Sequence, residues 1–237
     1  AVDAATPFEI DVTHLEGGQG IAMERQSISY HGATFSHIDA LCHVSHNGRL
    51  YNGLDFAETV STKEGCRRLG IGNLQEGIIT RGVLLDIPRL RGVPYLEPGA
   101  GVTRADVEAW EVRTGVTVSP GDALLLYSGR WKRRADVEPF NPPAGYDPSF
   151  IPFLKERDVA LLGSDGFQEG GNAVPGVILP VHKVALVALG VHLFDNLDLE
   201  ALAETAAELN RWEFLLTVGP LRVQNGAGSP VNPIAVF

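Results

Sequence analysis

Tyr30-His31-Gly32-Ala33-Thr34-Phe35-Ser36-His37-Ile38-Asp39-Ala40-Leu41-Cys42-His43 concentrates imidazole and carboxylate groups as no other part of this 237-residue chain does. Four of the seven histidines, His31, His37, His43 and His46, fall within sixteen residues. In an extended segment side chains alternate between faces, so His31, His37, Asp39 and His43, all at odd positions, project to one side. A helix opening after His37 would still leave Asp39 and His43 as neighbours at a spacing of four. Either geometry converges nitrogen and oxygen donors on one point, which is what a divalent ion such as zinc or manganese requires.

The rest of the chain sets the frame for that cluster. A hydrophobic content of 44% with 20% charged residues describes an ordinary globular protein and excludes disordered and fibrous classes. A net charge of −10 argues against a nucleic-acid partner, which needs a clustered basic surface. The one basic run, Arg130, Lys132, Arg133 and Arg134, reads as a solvated loop end. No apolar run reaches the roughly 18 residues of a membrane span, and no secretory pattern opens the chain. With only Cys42 and Cys66 present, a disulfide framework is not expected, Cys42 reads as a small buried hydrophobe, and the expected location is the cytoplasm. The chain starts at Ala1 without a methionine, which suggests that a natural N-terminal segment is absent. No linker divides the sequence, so residues 1–237 are expected to form one domain.

Apolar β-rich runs at 77–87, 122–127, 160–162 and 212–218 are expected strands, the first two covered on both faces. Thr103-Arg104-Ala105-Asp106 reads as a capping box for a helix to residue 114, stopped by Gly115. Further helices are expected at 149–157, at 182–189 ending on Gly190, and at 198–209 with Asp198 in the capping position. Their irregular interleaving indicates a mixed α/β fold rather than a strict alternating one. The long stretch 130–147, with Pro139, Phe140, Pro142, Pro143 and Tyr146, could form a pocket wall.

The order His37-x-Asp39-x-x-x-His43 resembles the metal-dependent cyclase family that includes bacterial kynurenine formamidases and isatin hydrolases. The segments Thr80 to Asp86, Pro120 to Leu125, Gly163-Ser164-Asp165, His182 followed by Asp195-Asn196-Leu197-Asp198, and Gly228 to Val231 look like the same family. The resemblance implies a swivelling β/β/α domain around a small barrel-like sheet. It implies His37 and Asp39 as metal ligands, His43 as the proton-transfer group, and His182 with Asp195 as the distal pair, where the family has histidine and glutamate. The family's further ligand histidine, four residues before His37, is replaced by Ala33. His31 can substitute only if the backbone brings it round, so one divalent ion, zinc or manganese, is expected rather than two. A homo-oligomer is implied as well.

Such a centre suits hydrolysis of a small amide, lactam or lactone, because a divalent ion activates water and polarises a carbonyl at neutral pH. Phe35, Tyr51 and Ser229 are the side chains that could contact the small-molecule substrate. Each assignment keeps a plain structural alternative. His37 with Asp39 could be a buried hydrogen-bonded pair, His43 a supporting histidine, and His182 a satisfied residue at a helix start. Asp195 and Ser229 could serve turns, Tyr51-Asn52-Gly53 and His46-Asn47-Gly48 are turn signals, Phe35 could be core, and Asp165 could cap the following loop. Two other functions compete: a non-hydrolytic cyclase or dehydratase on the same scaffold, and a metal-free small-molecule binding protein, which Ala33 and Asp195 favour.

Overall fold

The computed structural model describes residues 8–15, 20–133, 144–171 and 174–237. Residues 134–143, which include Arg134 and most of the expected pocket wall, lie outside the described residues. Along the chain the strands are β1 (Phe8–Leu15), β2 (Ile21–Ile28), β3 (His37–Asp39), β4 (Val60–Ser61), β5 (Gly65–Cys66), β6 (Ile78–Asp86) and β7 (Gly101–Val102). They continue with β8 (Ala123–Tyr127), β9 (Gly145–Tyr146), β10 (Leu161–Ser164), β11 (His192–Asp195), β12 (Glu213–Val218), β13 (Gly228–Pro230) and β14 (Ile234–Val236).

Eight of these form one mixed sheet in the order β13-β3-β11-β10-β8-β6-β12-β14. Its middle strands β11, β10, β8 and β6 run parallel, and the flanking strands pair antiparallel. The fold is therefore mixed α/β, as the interleaved pattern indicates. Val83, Leu84, Leu85 and the whole of β8 are buried, because both faces of the parallel strands are covered. Gly82 sits opposite Phe214 in the β6–β12 pair, and a Cβ there would collide with the Phe214 ring. An aromatic side chain thus fills the space that the glycine leaves open.

The capping box is formed at the helix Arg104–Thr114: Asp106 Oδ2 accepts from the Thr103 backbone N–H at 2.8 Å, while Thr103 Oγ1 faces the Asp106 N–H. Gly115 closes the helix in the left-handed region at φ 74°. This helix buries Trp110, whose indole N–H donates to the Leu84 carbonyl at 2.8 Å and so ties helix to sheet. Thr103→Ala should lower the unfolding free energy by about 1 kcal/mol in a denaturant melt, the usual effect of losing such a cap.

Two expectations need correction. Cys42 and Cys66, 24 residues apart and both buried, are joined by a disulfide, so Cys42 is not a lone thiol acting as a hydrophobe. The bond ties the turn that carries His43 to the β4–β5 hairpin, and it removes the cysteine-based argument for a reducing compartment. Replacing both cysteines by alanine should cost on the order of 3 kcal/mol in the same melt, from the restored freedom of the unfolded loop. The basic run is not a solvated loop end either. It forms the helical turn Arg130–Arg133, in which Lys132 pairs with Glu200 at 3.4 Å, Arg133 pairs with Glu97 at 3.3 Å, and Arg130 turns inward.

The remaining elements bring the site together. A short helix, Pro180–His182, runs into the π-helical turn Lys183–Leu189, and Gly190 ends it at φ 70°. The helix Glu200–Leu209 starts two residues later than expected, and Asp198 Oδ1 accepts from the Glu200 N–H at 3.3 Å. Among the described residues no helix is long and apolar enough to cross a membrane.

Candidate metal centre

Strand alternation puts His37 and Asp39 on the same face of β3. In the antiparallel β3–β11 pair His37 is registered directly opposite Asp195, so the Asp195 side chain joins that face. Only residues 37–39 are extended, however; His31 and His43 arrive through bends and turns rather than along one strand. They converge all the same. The Nε2 atoms of His31, His37 and His43 stand 3.4, 3.6 and 3.9 Å from Asp39 Oδ1, and that of His182 stands 3.5 Å from Oδ2. His182 Nε2 also lies 3.3 Å from Asp195 Oδ2.

The ring orientations follow from bonds behind them. His37 Nδ1 donates to the Phe35 carbonyl at 2.8 Å, which leaves the Nε2 lone pair facing Asp39. Glu169 holds His182 from behind: its carboxylate faces Nδ1 at 2.8 Å and takes the His182 backbone N–H at 3.0 Å. Gln168 donates to Asp195 Oδ1 at 2.7 Å and frees Oδ2 for the cluster. Gly228 is registered opposite Asp39, and a Cβ there would lie 2.8 Å from His31 Nε2, so glycine keeps the space that this imidazole occupies.

Electrostatically the cluster centres on one buried carboxylate. Asp39 is 1% exposed, yet among the described residues neither of its carboxylate oxygens has a hydrogen-bond partner. Burial works to raise its pKa, but the surrounding imidazoles, His43 first, outweigh that and hold the carboxyl well below the usual carboxylate range. Burial lowers the pKa of His182, yet Glu169 and Asp195 overcome it and hold the imidazole well above its ordinary value. Burial leads the effects at His43 and pushes its pKa down.

Donor atoms spaced at 3.3–3.9 Å are too far apart for good hydrogen bonds to one another. All but the 3.9 Å His43 spacing match the roughly 3.3–3.6 Å separation of ligands each about 2.0–2.2 Å from one tetrahedral ion. His31, Asp39 and His43 form one potential ligand group and His37, Asp39 and Asp195 another, with Asp39 common to both. The orphaned carboxylate and the ring of imidazole nitrogens fit a divalent cation.

Residues 2–169 match the model of the Cyclase family. The chain belongs to that family. This Cyclase-family chain is 31% identical to a solved structure described as a novel cyclase, over 97% of its own length and 79% of the other chain's, with a TM-score of 0.86. Isatin hydrolase A from Ralstonia solanacearum is 20% identical, with 98% and 82% of the two chains covered and a TM-score of 0.67. A predicted metal-dependent hydrolase from Bacillus stearothermophilus is 17% identical, with 96% and 86% covered and a TM-score of 0.57. These last two share the fold. No curated protein matches the chain.

The site thus brings together His31, His37, Asp39, His43, His182 and Asp195, all of which the sequence nominates. The three nominated substrate contacts lie differently. Tyr51 packs against Gly190, where a Cβ would come 2.6 Å from its ring. Ser229 is fully buried, and its hydroxyl is engaged by main chain, donating to Pro230 O at 2.7 Å and accepting from the Leu221 N–H at 2.9 Å. Phe35 contributes its carbonyl to His37, while its half-buried ring stands 6.3 Å from that of Phe8. His46 is exposed in its turn, and His192 donates to the Asp39 main-chain carbonyl at 2.8 Å. Asp165 does not cap the loop that follows it: its carboxylate accepts from the backbone N–H groups of Ser128, Gly129 and Arg130, far earlier in the chain.

Sequence reasoning missed Glu169, Gln168 and Tyr30. The Tyr30 ring lies 4.4 Å from that of His31, and its phenol is pushed up to about 12, by burial first and then by the Asp39 charge. It therefore stays protonated and can donate a hydrogen bond.

Proposed function

We propose that this Cyclase-family protein is a metal-dependent hydrolase that opens small amides, lactams or lactones. The observation that carries the reading is the Asp39 carboxylate, buried without a hydrogen bond among the described residues and ringed by four imidazole Nε2 atoms. His37, Asp39 and Asp195 would hold one divalent ion, zinc or manganese, with His182 and His31 completing the donor set. Such an ion, when bound, supplies Lewis-acid activation of water and of a carbonyl group.

His43 is half-buried and stacked on His31, with ring centroids 4.2 Å apart and an interplanar angle of 8°. Neutral in the resting protein, it accepts a proton from the attacking water as the bond to the carbonyl carbon forms. It then delivers that proton to the leaving nitrogen or oxygen as the second bond breaks. Likeness in fold to isatin hydrolases supports a cyclic amide among the substrates.

Turnover of a lactam panel in ¹⁸O-labelled water, before and after chelation, tests this. Solvent oxygen in the product and loss of turnover with chelator are expected. Turnover without solvent oxygen would favour the cyclase or dehydratase reading, and protein that takes up no ion would favour the metal-free binding protein.

Exposed apolar side chains on the two-stranded β1–β2 ribbon support a second copy of the chain as the partner we propose. Phe8, Ile10, Val12, Ile21 and Met23 are 43 to 57% exposed there, and a two-stranded ribbon is marginal without cover. A dimer mass by light scattering is expected, and Val12→Lys with Met23→Lys should shift it toward monomer.

A further inference from the structure

We infer that Arg130 and Asn196 are positioning residues for the metal centre, clamping the segment 30–36 so that His31 reaches Asp39. This rests on the metal reading of the cluster given above. His31 lies six residues before His37, and residues 31–35 belong to no helix or strand, so a covering anchor is needed to bring its imidazole within 3.4 Å of Asp39. The Arg130 guanidinium provides it, donating from one nitrogen to the Ala33 carbonyl at 2.8 Å and from another to Asn196 Oδ1. Asn196 continues the clamp: its side-chain amide donates to the Gly32 carbonyl at 2.6 Å, and its main-chain carbonyl accepts from Ser36 Oγ at 2.8 Å.

The clamp is itself held rigidly. Asp165 fixes the Arg130 backbone N–H at 3.0 Å, and the guanidinium carbon lies 4.7 Å from the Trp131 ring centroid and 5.8 Å from that of Phe167. Trp131 is anchored in turn by its indole N–H to the Leu197 carbonyl at 2.8 Å. Asn196 is 1% exposed, adopts φ 56°, and directly follows Asp195, so the two sides of the centre share one support. A planar fork that bridges two acceptors is a task for arginine that lysine does not match.

A double-mutant cycle tests the assignment. The dissociation constant of Zn²⁺ or Mn²⁺ alone is measured by competition with a chromophoric chelator in wild type, Arg130→Met, His31→Ala and the double variant. Arg130→Met should weaken binding about tenfold, as loss of outer support for a ligand does, but by less than about twofold once His31 is already alanine. Equal losses in both backgrounds, or no loss, would overturn the proposal. Arg130→Lys keeps the charge and should show the same pattern, which covers the case in which the methionine variant folds poorly. Amide exchange in residues 31–36 of the metal-free protein should be about tenfold faster in either variant, and unchanged exchange would also overturn the clamp. Wild-type protein that binds no ion would instead refute the hydrolase reading, and the exchange data would still decide whether the clamp exists.

Discussion

Asp39→Asn is expected to abolish metal uptake and to lower kcat/KM by about 10³-fold or more, the several kcal/mol that Lewis-acid activation supplies. The two side chains have nearly the same shape, so the substitution changes charge and donor character rather than packing. Both Asp39 oxygens are buried without hydrogen bonds among the described residues, and Asp39 is common to the two potential ligand groups. An amide in that place would turn an N–H group toward imidazole nitrogens and supply no negative charge to a cation. A thermal readout separates this from simple misfolding. An ion at 100 times its dissociation constant should stabilise wild type by about 2.7 kcal/mol, and the same addition should leave Asp39→Asn unmoved. A variant that still binds one ion per chain and turns over substrate would refute the centre.

The part of this centre written in short spacings was legible in the sequence. His37-x-Asp39 is one strand period, and that alternation survives in β3 even though the strand is only three residues long. The capping box and the buried parallel strands were readable for the same reason, since each is a local pattern with a local cause. Elements that depend on distant partners were not readable. β11, β13 and β14 have three or four residues each, too few for a periodic signal, yet the register of β11 sets Asp195 beside His37. Glu169 lies thirteen residues from the His182 that it orients, and no spacing rule links them. The Cys42–Cys66 bond likewise needed the β4–β5 hairpin to bring Cys66 under the histidine turn.

Tertiary support also explains why His31 can serve at all. Its position in the sequence is unsuited to the cluster, and the backbone around it forms no regular element. Gly228 clears the space for the ring, while Arg130 and Asn196 hold the segment that carries it. Both contributions come from the other end of the chain or its middle, which is why local reading ranks His31 only as a conditional ligand.

His43→Gln should separate proton transfer from ion binding. Glutamine retains much of the bulk and a polar tip, so the stack on His31 and the fold should persist. Ion affinity should stay within a few-fold of wild type, while kcat falls by about 10²–10⁴, the range for loss of a general acid or base. The pH profile gives an independent check. A base must be neutral to accept the proton from water, and burial pushes the His43 pKa below its ordinary value of 6.5. The neutral form therefore persists to lower pH than for a free imidazole, and the acid limb of kcat/KM should fall below 6.5 rather than above it. In His43→Gln that limb should disappear from the residual activity. A limb that stays in place, or a variant with normal kcat, would assign the proton transfer to another group.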